Sequence, residues 1–257
     1  MTTQPPDVLH RFRLDGRRAL VTGAGRGIGL AAAHALAEAG AAVTLLARTR
    51  EEIETAADAI RSRGGTADCL AIDITELRAV TATIARQPPY QVLLNNAGTN
   101  RIDRFLDVRI EDFDLVFDLN VRSAFFVAQA VARSLVNAGM PGSIVNVSSQ
   151  MGLVGAARRS VYCASKWAME GMTRAMALDL APHGIRVNTL CPTFVETPLA
   201  NRFLSDPAFH AEVLSRIKLG RVGQVDDLLG AILLLASDAS AMMTGSSLVV
   251  DGGWTAD

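Results

Sequence analysis

The chain is short of several residue types, and each shortage narrows what it can be. Only two lysines, Lys166 and Lys218, and two tyrosines, Tyr90 and Tyr162, occur in 257 residues. Arginine carries nearly all the positive charge, yet the formal net charge is −1 and no run of like charges stands out. A nucleic-acid or polyanion surface is thereby disfavoured as the main function. Three cysteines, Cys69, Cys163 and Cys191, are widely spaced and odd in number, which argues against a disulfide framework. Together with four scattered histidines, His10, His34, His183 and His210, they show no metal-ligand spacing, so no metal is expected. No apolar run looks long enough to cross a bilayer, and "MTTQPPDVLHRF" lacks a signal peptide's apolar stretch. A cytoplasmic protein that engages neither membrane nor nucleic acid is the expectation.

What is present is apolar surface and alternation. Apolar residues make up 49% of the chain, enough for a large core. Strand-like runs "RRALVT", "AAVTLLA", "ADCLAID", "QVLLNN", "GSIVNVSS", "IRVNTLC" and "SSLVVDGG" are separated by helical stretches. One of these is a long helix from about Glu111 to Asn137, and another runs from Val161 to Ala181. Buried strands separated by helices imply an α/β fold: a doubly wound, parallel, seven-stranded sheet with helices on both faces. No linker or repeat divides the chain, so residues 1–257 read as a single domain, with 1–13 loosely packed. The stretch from Thr197 to Gly223 is more mixed and is a candidate mobile segment.

"TGAGRGIG" follows the first strand and opens a helix, with Gly23, Gly25, Gly27 and Gly29 alternating around Arg26 and Ile28. Glycines at the end of the first strand of such a sheet let backbone N–H groups approach a dinucleotide pyrophosphate, and the helix N-terminus adds partial positive charge. At the end of the second strand, a carboxylate would bind a ribose 2′-hydroxyl and repel a 2′-phosphate. Here Ala47 holds that place, Arg48 and Arg50 follow, and Arg26 lies in the glycine turn. Guanidinium groups suit a phosphate, so NADP(H) is favoured over NAD(H).

Tyr162 and Lys166, in "VYCASK", are four residues apart and share one helical face. A free phenol titrates near 10, and an adjacent ammonium favours the phenolate. The pair can thus exchange a proton with a carbonyl or hydroxyl oxygen. Ser148 and Ser149, at the end of "SIVNVSS", reach the sheet edge where ligands of open α/β folds sit, and either can donate to a substrate oxygen.

In this order the motifs resemble those of the short-chain dehydrogenase/reductase family, from about Leu14 to Trp254: "TGAGRGIG", "AID" at 71–73, "NNAG" at 95–98, Asn120 in "DLNV", Ser149, "YCASK" and "VDGG". The resemblance implies a Rossmann fold and hydride transfer between nicotinamide and a secondary alcohol or ketone. It implies that Ser149 holds the substrate oxygen, Tyr162 exchanges the proton, and Lys166 lowers its pKa and holds the nicotinamide ribose. Asn120 would keep a water on the path to Lys166. Asp73 and Ile74 would line the adenine pocket, with Asn96, Ala97 and Gly98 beside the adenosine ribose. Pro192, Val195 and Thr197 would border the nicotinamide, although Thr193 stands where the family usually has glycine. A homotetramer is implied as well.

Substrate choice is expected from Asn100, Arg101, Gln150, Met151, the loop before Tyr162, and residues from Pro198 to about Gly220. Arg101, Arg158 and Arg159 suit a carboxylate or phosphate at the pocket mouth, which favours a small-molecule substrate such as a hydroxy or keto sugar acid. The same arginines admit an alternative, reduction of a 3-oxoacyl thioester on an acyl carrier protein. A non-catalytic NADP(H) sensor is the third reading.

Overall fold

Each strand is short, apolar and followed by a connection too long for a hairpin, so neighbouring strands can pair only in parallel. A computed structural model describes residues 7–256. In chain order it contains β1 (Arg18–Thr22), α1 (Gly27–Glu38), β2 (Ala42–Ala47), α2 (Arg50–Ser62), β3 (Thr66–Ala71), α3 (Leu77–Ala85) and β4 (Val92–Asn95). There follow α4 (Ile110–Phe117), α5 (Ala124–Ala138), β5 (Gly142–Val147), α6 (Ser160–Leu180) and β6 (Ile185–Pro192). The remaining elements are α7 (Pro198–Leu204), α8 (Pro207–Arg216), α9 (Asp226–Ala236) and β7 (Ser247–Val250).

The strands lie in the order β3-β2-β1-β4-β5-β6-β7, and every pair is parallel. Alternate side chains feed two cores. Ala19, Val21, Val43, Leu45, Val92 and Leu94 cluster with Leu36 of α1, Ile53 of α2 and Ile232 of α9. Leu20, Leu46, Leu93 and Ile144 cluster on the other face with Val80 of α3, Val127 of α5 and Ala177 of α6. This is the doubly wound sheet that the strand pattern implies. β1 has β2 on one side and β4 on the other, so successive connections leave it in opposite directions and a crevice opens beyond its carboxyl end.

Four expectations are refined. The long helix runs from Ile110 to Ala138 but passes through a π turn at Asp118–Ser123, whose extra residue turns both Asn120 and Ser123 inward. By length and composition that 29-residue stretch is apolar enough to cross a membrane, contrary to the reading of the sequence. In the fold its Val127, Val131 and Leu135 are buried in the core. The candidate mobile segment holds α7 and α8, each with proline in its first turn, capped by the Thr197 hydroxyl and the Asp206 carboxylate. Residues 1–6, part of the lead-in read as loose, lie outside the described residues. Further on, His10–Phe12 form a 3-10 turn, and the Arg11 guanidinium donates to the Asp238 carbonyl at 2.8 and 3.2 Å.

Candidate active site

The carboxyl ends of β1, β4, β5 and β6 open onto one cleft of about 590 Å³. Its floor at the β1 end is built from backbone. The Thr22 hydroxyl accepts from the N–H groups of Asn96 and Ala97, each at 3.0 Å. The Asn96 amide donates back to the carbonyls of Thr22 at 3.0 Å and Gly23 at 3.3 Å. Gly23 has φ +65°, and a Cβ there would stand 3.0 Å from the Ala97 Cα. At Gly29 a Cβ would stand 2.4 Å from the Gly23 carbonyl oxygen. The two turns are therefore latched together with no room for side chains, and the start of α1 presents bare N–H groups to the cleft. A dinucleotide pyrophosphate fits such a cradle.

Of the residues singled out in the sequence, Gly23, Gly25, Arg26, Gly27, Ile28, Arg48, Asp73, Ile74, Asn96, Ala97, Gly98, Ser149, Tyr162, Lys166, Pro192, Val195 and Thr197 line this cleft. Gly29 and Asn120 do not. Gly29 acts one layer below, where its missing side chain lets α1 approach β1. Two ion pairs border the adenosine end: Arg48 with Asp73 at 3.6 Å and Arg26 with Glu52 at 3.8 Å, with both guanidiniums largely exposed. Asp73 also accepts from the Thr75 N–H and hydroxyl, and its carboxyl lies below the usual range, with burial opposing those bonds and Arg48. Glu52 was not singled out in the sequence. Its carboxylate overhangs the glycine turn, where a Cβ at Gly25 would stand 2.5 Å from it.

At the other end, Ser149 ends the β5 connection and caps a 3-10 turn, accepting from the Met151 N–H at 3.1 Å. Its hydroxyl donates to the Gln150 side-chain carbonyl at 2.7 Å. Tyr162 lies in the first turn of α6 and faces the same space. Burial raises its phenol pKa; Ser149 and Arg159 act in the opposite direction. Lys166 is buried, donates to the Val147 carbonyl at 2.8 Å, and lies 5.6 Å from the centre of the Tyr162 ring. Desolvation pushes its ammonium down to about 8. The amine thus lies against the ring, where an ammonium favours the phenolate.

Asn120 is fully buried. Its Oδ1 accepts from the Thr99 N–H at 2.8 Å, and its Nδ2 donates to the Thr99 carbonyl at 2.9 Å and the Ser165 hydroxyl at 3.1 Å. Both amide hydrogens are thereby engaged, while Oδ1 keeps a second lone pair. The side chain fastens the loop after β4 to α6, and Ser165 extends the link to the Tyr162 carbonyl at 2.8 Å.

The three arginines read as a pocket-mouth group divide. Arg101 is engaged by Asp112 at 3.2 Å. Arg158 takes φ +60° and does not border the large cleft; it lines a small hollow with Arg101 and Asp112. Arg159 alone turns inward, and is 4% exposed. Its Cζ lies 5.2 Å from the ring centres of Phe194 and Phe209 and 5.7 Å from that of Phe203. Four buried polar atoms of cleft-lining residues have no partner: Asn100 Oδ1, Ser148 Oγ, Thr193 Oγ1 and Arg159 Nη2. Phe194 and Phe203 were missed individually, since only the assembled fold brings their rings to Arg159. Cys191, by contrast, is a packing residue: burial pushes its thiol up to about 12, and it donates to Glu170 at 3.3 Å.

Comparisons with known proteins agree with this geometry. The profile of the family described as Enoyl-(Acyl carrier protein) reductase matches residues 23–255. D-erythrulose reductase of Gallus gallus is 44% identical over 249 residues, 97% of this chain and 98% of that protein. L-xylulose reductase of Bos taurus is 42% identical over 245 residues, 95% of this chain and 99% of the other. A crystal structure of gluconate 5-dehydrogenase from Burkholderia cenocepacia, in complex with NADP and tartrate, superposes with a TM-score of 0.93 at 41% identity. That match covers 97% of this chain and 99% of the other.

Proposed function

The chain belongs to the short-chain dehydrogenase/reductase family, and from that premise we propose that it uses NADP(H) in preference to NAD(H) to interconvert a ketone and a secondary alcohol on a small hydroxylated molecule. The observation that carries the reading is the meeting of Ser149, Tyr162 and Lys166 in the cleft that the bare glycine turn also enters. The names of the sugar-reducing and gluconate-oxidising relatives support the substrate class.

When bound, a nicotinamide gives or takes the hydride. Ser149 orients the substrate oxygen by turning its hydroxyl away from Gln150. Tyr162 delivers a proton to that oxygen as the ketone is reduced and recovers it on oxidation. Lys166, held beside the ring, stabilises the phenolate and presents its remaining N–H donors to the nicotinamide ribose. Asn120 keeps α6 in register with the loop after β4. At the far end, Ala47 puts no carboxylate at the tip of β2, and the nearby Asp73 and Glu52 are paired with arginines. Exposed ion pairs as long as Arg48–Asp73 and Arg26–Glu52 are worth about 0–1 kcal/mol, so a 2′-phosphate can draw both guanidiniums to itself.

Reduction of a carrier-bound thioester is less well supported, because Arg158, which faces outward, does not border the cleft, and Arg159, which does, faces inward. Exposed apolar side chains on α4, α5 and α6, including Phe113, Phe125 and Trp167, support a homotetramer, for which light scattering should give four chain masses. The α5 residues buried in the core support a soluble, cytoplasmic enzyme rather than a membrane one.

The test is turnover at 340 nm with NADPH and NADH over neutral ketoses, keto sugar acids and an acetoacetyl thioester. Tyr162→Phe should lower kcat by about 10²–10⁴ and still bind NADPH. Full activity in that variant would overturn the assignment. Activity confined to the thioester would move the protein to acyl reduction.

A further inference from the structure

We infer that Arg159 is the anion anchor of the substrate subsite, so that the molecule turned over here carries a carboxylate beside its hydroxyl groups. The inference rests on the reading of the cleft as an oxidoreductase site and narrows its substrate class.

Arg159 is a buried charge with no bonded countercharge among the described residues. A guanidinium stays protonated at any physiological pH, so it cannot escape burial by losing its proton. Buried charges in proteins are accordingly paired or hydrogen-bonded. Arg159 is 4% exposed, yet among the described residues it makes no side-chain hydrogen bond and no ion pair; its neighbours are the rings of Phe194, Phe203 and Phe209. Its Nη2 is buried without an acceptor. Glu212 of α8 is close enough to influence it but does not bond to it. The ring faces stabilise a cation and leave the edge of the guanidinium, with its donors, unspent. An Arg fork that is buried and unpaired matches a carboxylate's two oxygens.

Its position supplies the rest. Arg159 precedes α6 by one residue and Tyr162 by three, and both line the cleft with Ser149. An anion held by Arg159 lies beside the oxygen that Ser149 and Tyr162 serve. The same cleft is lined by three other residues with an unpartnered polar atom, Asn100 Oδ1, Ser148 Oγ and Thr193 Oγ1, one acceptor and two hydroxyls. A purely apolar acid would leave these unmatched, whereas a hydroxy acid satisfies them. The other cleft arginines are differently placed: Arg26, Arg48 and Arg101 have carboxylate partners, and Arg202 is exposed on α7.

The experiment compares oxidation of D-gluconate and of D-sorbitol, its neutral counterpart, with NADP+ by wild type, Arg159→Met and Arg159→Lys. Arg159→Met should lower kcat/KM for gluconate roughly 10- to 150-fold more than that for sorbitol, the span for a hydrogen bond between charged groups, since any effect of its charge on the Tyr162 phenol is common to both substrates. Arg159→Lys, which keeps the charge but loses the fork, should fall between. Equal losses on both substrates, or wild-type preference for sorbitol, would overturn the anchor and leave the oxidoreductase reading standing. Thermal melting decides the point without turnover. With NADPH bound, millimolar gluconate should raise the Tm of wild type and not that of Arg159→Met, while sorbitol should shift neither. A gluconate shift that survives in Arg159→Met, or none in wild type, refutes the anchor. If melting shows gluconate bound through Arg159 and no panel member turns over, the anchor stands and the catalytic reading falls.

Discussion

Replacing Gly29 with alanine sets two magnitudes against each other. Inside a helix, alanine is favoured over glycine by about 1 kcal/mol, so propensity alone predicts a stabler protein. The structure predicts the reverse. The new Cβ would stand 2.4 Å from the Gly23 carbonyl oxygen and 2.6 Å from the Asn96 side-chain nitrogen. Neither neighbour yields freely: the first is backbone, and the second is tied to two carbonyls at 3.0 and 3.3 Å. Overpacking of this kind costs roughly 1–3 kcal/mol, and weakening the Asn96 bonds adds about 1–2 kcal/mol. The net loss is then about 1–4 kcal/mol, and at roughly 2–4 °C per kcal/mol Tm should fall by several degrees. NADPH should also bind more weakly, since α1 must retreat from the turn. Gly230 is the control. It lies in α9, and a Cβ there meets nothing within 4 Å. Gly230→Ala should raise Tm by a few degrees, as an uncrowded helical site allows. Calorimetry on both variants decides the matter, and a rise in Tm for Gly29→Ala equal to that for Gly230→Ala would refute the steric reasoning.

Two further outcomes are expected. Arg48→Ala should raise the KM for NADPH about 10- to 100-fold with little change for NADH, and Ala47→Asp should swing the preference toward NADH; steady-state kinetics with both cofactors checks this. Lys166 titrates near 8 in the folded protein against an ordinary value of 10.5, so between those pH values the unfolded chain holds more protons. From this group, stability of the ligand-free protein rises with pH across that window, the burial penalty being complete below it. Lys166→Met should remove that increment, so the wild-type Tm should gain on the variant's between pH 7.5 and 10; a constant difference would refute the shift.

Periodicity is what made most of this legible in sequence. Strands such as "RALVT" alternate between two cores and cannot be placed otherwise, and the spacing of Tyr162 and Lys166 survives any small error in helix bounds. The glycine turn was readable because its neighbours, a strand and a helix, are local. What could not be read depends on partners distant in the chain. Arg158 and Arg159 are adjacent and chemically identical in sequence; the left-handed backbone at Arg158 sends one outward and the other among three phenylalanines from a later segment. The Arg26–Glu52 and Arg48–Asp73 pairs each join separate elements. The π turn at Asn120 adds one residue to an otherwise regular helix and leaves no periodic trace.

The hydrogen bonds around Glu170 have a consequence for how the protein is made. This buried carboxylate, one turn beyond Lys166 on α6, accepts from Thr189 at 3.0 Å and from Ser247 at 2.6 Å. β7 closes on β6 in the same region, and the Leu219 N–H donates to the Gly252 carbonyl at 3.1 Å. During synthesis, α6 with its tyrosine and lysine emerges well before these residues do. Until Ser247 has been made, Glu170 lacks one of its donors. A nascent chain therefore carries every catalytic-type side chain before the polar network beneath them is complete, and the far edge of the sheet is what completes it.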